Sequence, residues 1–246
     1  MARFVVWFSC GAASAVAAKV MAEECEESGD ELAIVYCDTM ATEHEDNARF
    51  IADVEAWVGR SFEMIRSDKY ATIDDVFEQT RYMAGIGGAR CTTEMKKLPR
   101  EAWQRPDDIH VFGYTADERK RADDFEDRNP SLDVEWILIE KGITKDDCMS
   151  RLVRAGIELP TMYKLGFKHN NCKGCVKATS PGYWNRTRLY FPEVFARRAR
   201  QSRILGARLV RLGGERIFLD ELPEDAGGGE DENIECGPVC QLSLEY

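Results

Sequence analysis

The sequence predicts an α/β protein built on a doubly wound, parallel, five-stranded sheet, with a small Cys-containing C-terminal subdomain. Three observations predict it. Short apolar, strand-like runs alternate with stretches of helical periodicity from Arg3 to Ile139, a Ser- and Gly-bearing turn joins the first run to the first helix, and the alternation stops past Gly142.

The elements follow in order. Arg3 to Phe8 is an apolar run ending in Ser9-Cys10-Gly11, and the small-residue stretch Ala12 to Glu24 reads as a helix, so the chain opens as strand, turn, helix. Glu31 to Tyr36 reads as the second strand. Glu45 to Val58 has Phe50, Ile51, Val54, Trp57 and Val58 at helical spacing, and Ser61 to Ile65 reads as the third strand. A helical stretch near Ile73 to Thr80 leads to the glycine-rich Ala84–Ala89 loop and a helix from Thr93. Ile109 to Phe112 is the fourth strand, Ala116 to Arg128 a helix, and Val134 to Ile139 the fifth strand. Repeated strand–helix–strand units of this kind close into a parallel sheet with right-handed crossovers. Past Gly142 come a helix over Lys145 to Ala155, a Cys-bearing loop, Pro181-Gly182-Tyr183-Trp184, an Arg-rich helix over Pro192 to Leu205 and a hairpin around Gly213-Gly214. The acidic, glycine-rich residues 225–233 read as a mobile linker to the last Cys pair. The expected division is 1–142 for the α/β domain and 143–246 for the helical, Cys-rich subdomain.

Composition narrows the function classes. The chain has 246 residues, 44% hydrophobic and 31% charged, which excludes a largely disordered chain. Its longest apolar runs fall far short of the roughly 18 residues a membrane-spanning helix needs, so no membrane partner is expected. The opening Met1-Ala2-Arg3 lacks the parts of a secretory signal, and a cytoplasmic protein is expected. The formal net charge of −11 does not support a broad electrostatic grip on nucleic acid. The balance is uneven, however: Arg186, Arg188, Arg197, Arg198, Arg200, Arg203, Arg208 and Arg211 crowd into one stretch, which reads either as a solvated helix face or as a patch facing a polyanion.

The first strand-to-helix turn, Ser9-Cys10-Gly11-Ala12-Ala13-Ser14, has the features of an anion site. In an open parallel sheet such a turn offers backbone N–H groups and a helix N-terminus to phosphate. Ser9 and Ser14 carry hydroxyl donors, Gly11 lets the backbone approach, and Ala12 and Ala13 add no bulk. The alternative is an ordinary tight turn with a Ser cap. This loop resembles the Ser-Gly-Gly-x-x-Ser loop of the PP-loop ATP pyrophosphatases, within the adenine nucleotide α-hydrolase-like fold, with Cys10 where that family usually has Gly. The spacing of later motifs is similar to the phosphoadenosine phosphosulfate reductase branch, including phage and prophage-type members. Asp38-Thr39 resembles that family's Asp-Thr pair beside the adenosine site. Arg90-Cys91-Thr92 with Lys96 downstream is close to its segment facing phosphate or sulfate. Gly113 to Arg119 resembles its Gly-x-x-x-x-Glu-x-Arg stretch. The resemblance covers about residues 3 to 190. It implies a site for ATP, or for an adenosine phosphosulfate (PAPS or APS), with Mg²⁺, in which Ser9, Ser14, Lys96 and Arg119 act on the reacting phosphates. Cys10, Gly11, Ala12, Ala13, Asp38, Thr39, Arg90 and Gly113 would then help hold the nucleotide.

Nine Cys is a high count for a cytoplasmic chain, where metal binding or redox chemistry is the better expectation than stapling. Cys172-Lys173-Gly174-Cys175 is a knuckle that aims two thiolates at one point, and Cys236-Gly237-Pro238-Val239-Cys240 is a second pair. Four thiolates suit either Zn²⁺ or an iron–sulfur cluster. The resemblance favours a [4Fe–4S] cluster on Cys172, Cys175, Cys236 and Cys240, with Cys91 as a substitute ligand. Cys10, Cys25, Cys37 and Cys148 read as buried thiols, and His44, His110 and His169 stand alone, His169 beside the knuckle.

The expected function is therefore ATP-dependent adenylation with pyrophosphate release, coupled to sulfur transfer. Sulfur donor and acceptor are separate partners, the acceptor being tRNA or DNA held by the Arg-rich stretch and Tyr183-Trp184, and a homodimer is compatible. One alternative is phosphosulfate reduction with Cys236 as nucleophile and an external thiol reductant. Another is a zinc-stabilised nucleotide-binding module without turnover.

Overall fold

The computed structural model describes residues 1–85 and 88–227. Its elements, in chain order, are β1 (Arg3–Phe8), α1 (Ala12–Ser28), β2 (Glu31–Cys37), α2 (Asn47–Val58), β3 (Glu63–Ile65), α3 (Ile73–Thr80), β4 (Ala84–Gly85), β5 (Gly88–Ala89), α4 (Arg90–Thr92), α5 (Leu98–Trp103), β6 (Asp108–Val111), α6 (Arg119–Arg128), β7 (Asp133–Glu135), α7 (Ile137–Glu140), α8 (Lys145–Arg154), α9 (Thr161–Lys164), α10 (Pro181–Tyr190), α11 (Pro192–Leu205), β8 (Val210–Leu212) and β9 (Glu215–Ile217).

Five strands form one parallel sheet in the order β3-β2-β1-β6-β7. This is the expected doubly wound α/β architecture, a Rossmann-like fold compatible with adenine nucleotide α-hydrolases but not specific to them. Alternation along the strands makes the two layers. Val6, Phe8, Ile34 and Tyr36 point to the face covered by α1, α2 and α8, while Val5, Trp7, Ala33 and Val35 point to the face holding Phe125 of α6 and Trp103 of α5. At the opposite end of β1 from the loop, Arg3 donates to Asp108 (2.6 Å) and Glu31 (3.0 Å), tying three neighbouring strands together. The order reverses between β1 and β6, and the chain leaves both strands at the same edge. A crevice opens there by topology alone.

A second core joins Ile73, Val76 and Phe77 of α3 to Met162, Phe167, Val176, Trp184, Phe195 and Val210. Segments from either side of Gly142 share both cores, since Cys148 and Leu152 of α8 pack within the first.

Three elements differ from the sequence reading. The fifth strand ends at Glu135, and Ile137–Glu140 winds into one helical turn. Ile137, Leu138 and Ile139 are buried in either conformation, and a short apolar run carries no period to tell them apart. The helix expected from Thr93 begins at Arg90 and widens over Thr93–Lys97 into a π-helical turn, in which the Leu98 N–H reaches back five residues to the Thr93 carbonyl. The glycine-rich loop holds the short antiparallel pair β4–β5. In the C-terminal part, the hairpin at Gly213-Gly214 is present as β8–β9. Of the expected linker, residues 225–227 are described: the Asn185 amide donates to the carbonyls of Pro223 and Ala226. Residues 228–233, Cys236 and Cys240 lie outside the described residues. Among the described residues no helix is long and apolar enough to cross a membrane.

Candidate nucleotide site and thiol cavity

The crevice at the ends of β1 and β6 encloses about 290 Å³ and is lined by the loop residues Ser9, Gly11, Ala12, Ala13 and Ser14 and by Gly113. The loop is held by its own serines. Ser14 Oγ accepts from the Ser9 N–H (3.1 Å), lies 3.2 Å from Ser9 Oγ and donates to the Gly11 carbonyl (3.0 Å). Cys10 sits beneath it, fully buried, in the left-handed region at φ +56. That conformation favours glycine, and the strain is kept because the thiol fills the core below. Burial first, and then the nearby Glu43, push the Cys10 thiol well above its ordinary pKa, so it is a neutral packing group.

Gly113 closes the crevice from the β6 side. A Cβ there would stand 2.6 Å from the Ser14 backbone nitrogen, so only glycine lets the end of β6 approach the start of α1 this closely. On the far wall the hydroxyl of Tyr163 accepts from the Ala12 N–H at 3.4 Å. The Arg121 guanidinium lies 4.0 Å from the Tyr114 ring centroid and is paired with Glu118. Lys145 donates to the Lys168 carbonyl at 2.7 Å, and burial lowers its pKa. His169 is half-buried, and desolvation and then Lys145 depress its pKa to about 4.

The other expected nucleotide residues lie elsewhere. Asp38 accepts from the Met40 N–H and pairs with Arg66, outside the residues lining the crevice. Thr39 is buried against Glu43, which also accepts from Tyr36 and Asn47. Arg90 pairs with Glu94 at 2.7 Å. Arg119 is exposed and does not line the crevice, whereas Arg121, two residues on, does. Arg121, Lys145, Tyr163, Asn170 and Asn171 line the crevice without belonging to any of the expected nucleotide segments. No local motif marks them: Arg121 lies two residues past the Gly113–Arg119 stretch, and α8, α9 and the segment after α9 reach the crevice only through tertiary packing.

Lys96 is buried and lines a separate cavity of about 20 Å³, together with Thr39, Cys91, Cys172, Cys175 and Lys177. The π-helical turn brings Lys96 here from the same short segment as Cys91. The knuckle is built from its neighbours: the Tyr183 hydroxyl accepts from the Cys175 N–H (2.7 Å) and donates to the Cys172 carbonyl (3.2 Å). The Thr42 hydroxyl lies 3.4 Å from Cys172 Sγ. Three thiols therefore share one small cavity with two lysines. Among the described residues no three His, Cys, Asp or Glu side chains are grouped closely enough to hold a metal ion. The soft donors suit a thiolate-bound metal, but the described ones alone do not make a ligand set. Cys25, Cys37 and Cys148 are buried, as expected.

Two expectations about nucleic acid meet different surroundings. Tyr183 and Trp184 are core residues, with Trp184 Nε1 donating to the Ala178 carbonyl, so neither ring is available for a base to stack on. Much of the Arg-rich stretch is engaged within the chain: Arg198 is buried against Asp74, Arg197 pairs with the same carboxylate, and Arg203 pairs with Asp220 and Glu221. Compared with known proteins, the sequence matches no protein-family model, and no curated protein matches it significantly.

Proposed function

We propose that the chain is a nucleotide-dependent enzyme that takes the pyrophosphate part of ATP, or the phosphosulfate of an adenosine phosphosulfate, on the loop of residues 9–14. The observation that carries this reading is the crevice where the strand order reverses. It is walled by a serine-stapled loop at the N-terminus of a 17-residue helix and by a glycine that admits no side chain. Anions are favoured there because the first N–H groups of a helix lack intrahelical acceptors and face the positive end of its dipole. The likeness of this loop to the PP-loop pyrophosphatases supports the same assignment.

In this proposal an acceptor oxygen attacks the α-phosphorus of ATP, the bond to the bridging oxygen breaks, and pyrophosphate leaves on the loop. In this step the Ser9 and Ser14 hydroxyls turn from their partners within the loop to the leaving group and, with the α1 N–H groups, stabilise the charge that develops there, with Mg²⁺ as counter-ion. Lys145 supplies positive charge from the crevice lining, where Arg121 is neutralised by its pair with Glu118. The test is isothermal titration of the full chain with pyrophosphate and with ATP, followed by a pyrophosphate-release assay. Ser14→Ala is expected to weaken pyrophosphate binding about tenfold, the cost of about one charge-assisted hydrogen bond. Unchanged affinity in a folded Ser14→Ala protein refutes the assignment.

A second reading concerns the thiols and rests on Cys91, Cys172 and Cys175 lining one cavity. We propose that the knuckle serves sulfur chemistry, Cys172 and Cys175 holding a [4Fe–4S] cluster or a zinc ion together with Cys236 and Cys240, with Cys91 beside them. Such a cluster would supply electron or sulfur transfer. The phosphosulfate-reductase variant of this reading uses Cys236 as nucleophile. Iron, zinc and labile-sulfide analysis of anaerobically purified protein decides it: iron with sulfide favours the cluster, one zinc makes the thiols structural, and neither metal removes this reading.

A further inference from the structure

Neither backbone nor packing requires Gly11 to be a glycine. Its φ of −98 is extended backbone that any residue adopts. A Cβ built on it would meet only two atoms within 4 Å, Tyr163 Oη at 3.6 Å and Ser9 Oγ at 3.7 Å, both at ordinary van der Waals distance. What the missing side chain leaves is a gap in the loop bounded by two hydroxyl oxygens, one from the loop itself and one from α9. Ser9, Gly11 and Tyr163 all line the crevice, and each is partly exposed.

The Tyr163 hydroxyl is committed on one side only. The N–H groups of Ala12 (3.4 Å) and Asn170 both turn to its oxygen, so the bonds it makes there are bonds it accepts. A hydroxyl has one proton to give besides, and backbone N–H groups cannot take it. Among the described residues no acceptor meets that proton, which leaves it for a group in the crevice. The ring is firmly held: it packs on the first core, and α9 is tied to α2 by the Thr161 N–H and Oγ1, which donate to Asp46 at 2.8 and 2.9 Å. Desolvation raises the phenol above its ordinary pKa, so it remains a donor at neutral pH. A ligand atom lodged against Gly11 therefore meets hydroxyl donors, and the atom that suits them is one that only accepts, as a phosphate oxygen does.

We propose that Tyr163 is an anion-binding residue of the crevice, giving its phenolic proton to a pyrophosphate oxygen seated against Gly11 and beside Ser9. This rests on the nucleotide reading of the crevice, and it adds to the phosphate seat a residue from the C-terminal part of the chain.

The test is equilibrium titration of the full chain with pyrophosphate and with ATP, in the presence of Mg²⁺. Tyr163→Phe keeps the ring and removes the proton, and it is expected to weaken pyrophosphate binding about tenfold. A folded Tyr163→Phe protein with wild-type or tighter affinity overturns the proposal. Gly11→Ala makes the same test without touching Tyr163. Its methyl group has room in the fold but stands against both hydroxyls, so affinity should fall about tenfold or more at nearly unchanged stability. Wild-type affinity in that variant overturns the proposal too. A ring-fluorinated tyrosine at position 163 is a stronger donor and a weaker acceptor, which separates binding the anion from merely propping the loop. Held below its own pKa, it should tighten pyrophosphate binding about twofold. Weaker binding would mean that Tyr163 serves only to accept from Ala12, and would overturn the proposal. Pyrophosphate binding that falls in Ser14→Ala but not in Tyr163→Phe leaves the nucleotide reading standing and removes Tyr163 from it. Wild-type protein that binds neither pyrophosphate nor ATP overturns the nucleotide reading itself, and the Tyr163 assignment with it.

Discussion

Gly113 stands so close to Ser14 that a Cβ on it would lie 2.6 Å from the Ser14 backbone nitrogen and 2.8 Å from its Cα. Both atoms are backbone in the first turn of α1, so neither yields to the segment that follows β6 without moving an element. Gly113→Ala is therefore expected to destabilise the fold by about 1–3 kcal/mol, the usual cost of overpacking. It should also weaken pyrophosphate binding by displacing the loop. Chemical denaturation and titration of the same variant check both effects, and a variant with wild-type stability removes the close approach from the account.

Cys10 combines a left-handed backbone with a buried side chain. Cys10→Ala and Cys10→Gly both lose the thiol, but only glycine relieves a strain of about 1–2 kcal/mol, while giving up only about 0.8 kcal/mol for one more buried carbon. Cys10→Gly is thus expected to be at least as stable as Cys10→Ala, reversing the ordinary order. Denaturant midpoints of the two variants decide it.

Asp74 links α3 to α11. It pairs with the fully buried Arg198 and with Arg197 (3.2 Å), and it accepts from Gln201 (3.1 Å). Burial alone would raise its carboxyl pKa, but Arg198 and the other partners outweigh that and hold it below the ordinary value. Asp74→Ala leaves a buried guanidinium without its counter-charge and is expected to cost about 3–5 kcal/mol. The half-exposed Arg197→Ala should cost about 1 kcal/mol or less. Unfolding free energies of the pair test the contrast, which fails if the two are equal.

His110 is buried, accepts from Trp7 Nε1 at 3.0 Å, and has its pKa depressed to about 4 by burial and by Arg100. Between pH 4 and its unfolded value near 6.5, the unfolded chain binds the proton and the native one does not, so stability rises with pH across that window and is complete above it. Acidification from pH 6.5 to 4 should remove on the order of 3 kcal/mol through this group. Glu135 opposes it, because burial and Glu140 raise its carboxyl to about 7 and native proton uptake then stabilises toward acid. The difference in pH profile between wild type and His110→Gln isolates the histidine. Parallel profiles would show that His110 does not titrate as described.

The α/β alternation, the parallel sheet and the loop of residues 9–14 are legible in the sequence, because strand and helix periods and a turn's backbone demands are local properties. So is the Cys172–Cys175 knuckle, whose Gly174 adopts φ +64. The tertiary structure decided the rest. It brought Cys91, 81 positions before Cys172, to the knuckle, and Lys96 with it through a π-helical turn that no periodicity signals. It put Arg121 rather than Arg119 on the crevice wall, and buried Arg198, which by sequence sits on a solvated helix face or a polyanion-facing patch, and Tyr183 and Trp184, which the resemblance set against nucleic acid. Burial of a polar or aromatic side chain depends on partners distant in sequence, such as Asp74 for Arg198 and the knuckle backbone for Tyr183, and a one-dimensional pattern carries no record of them.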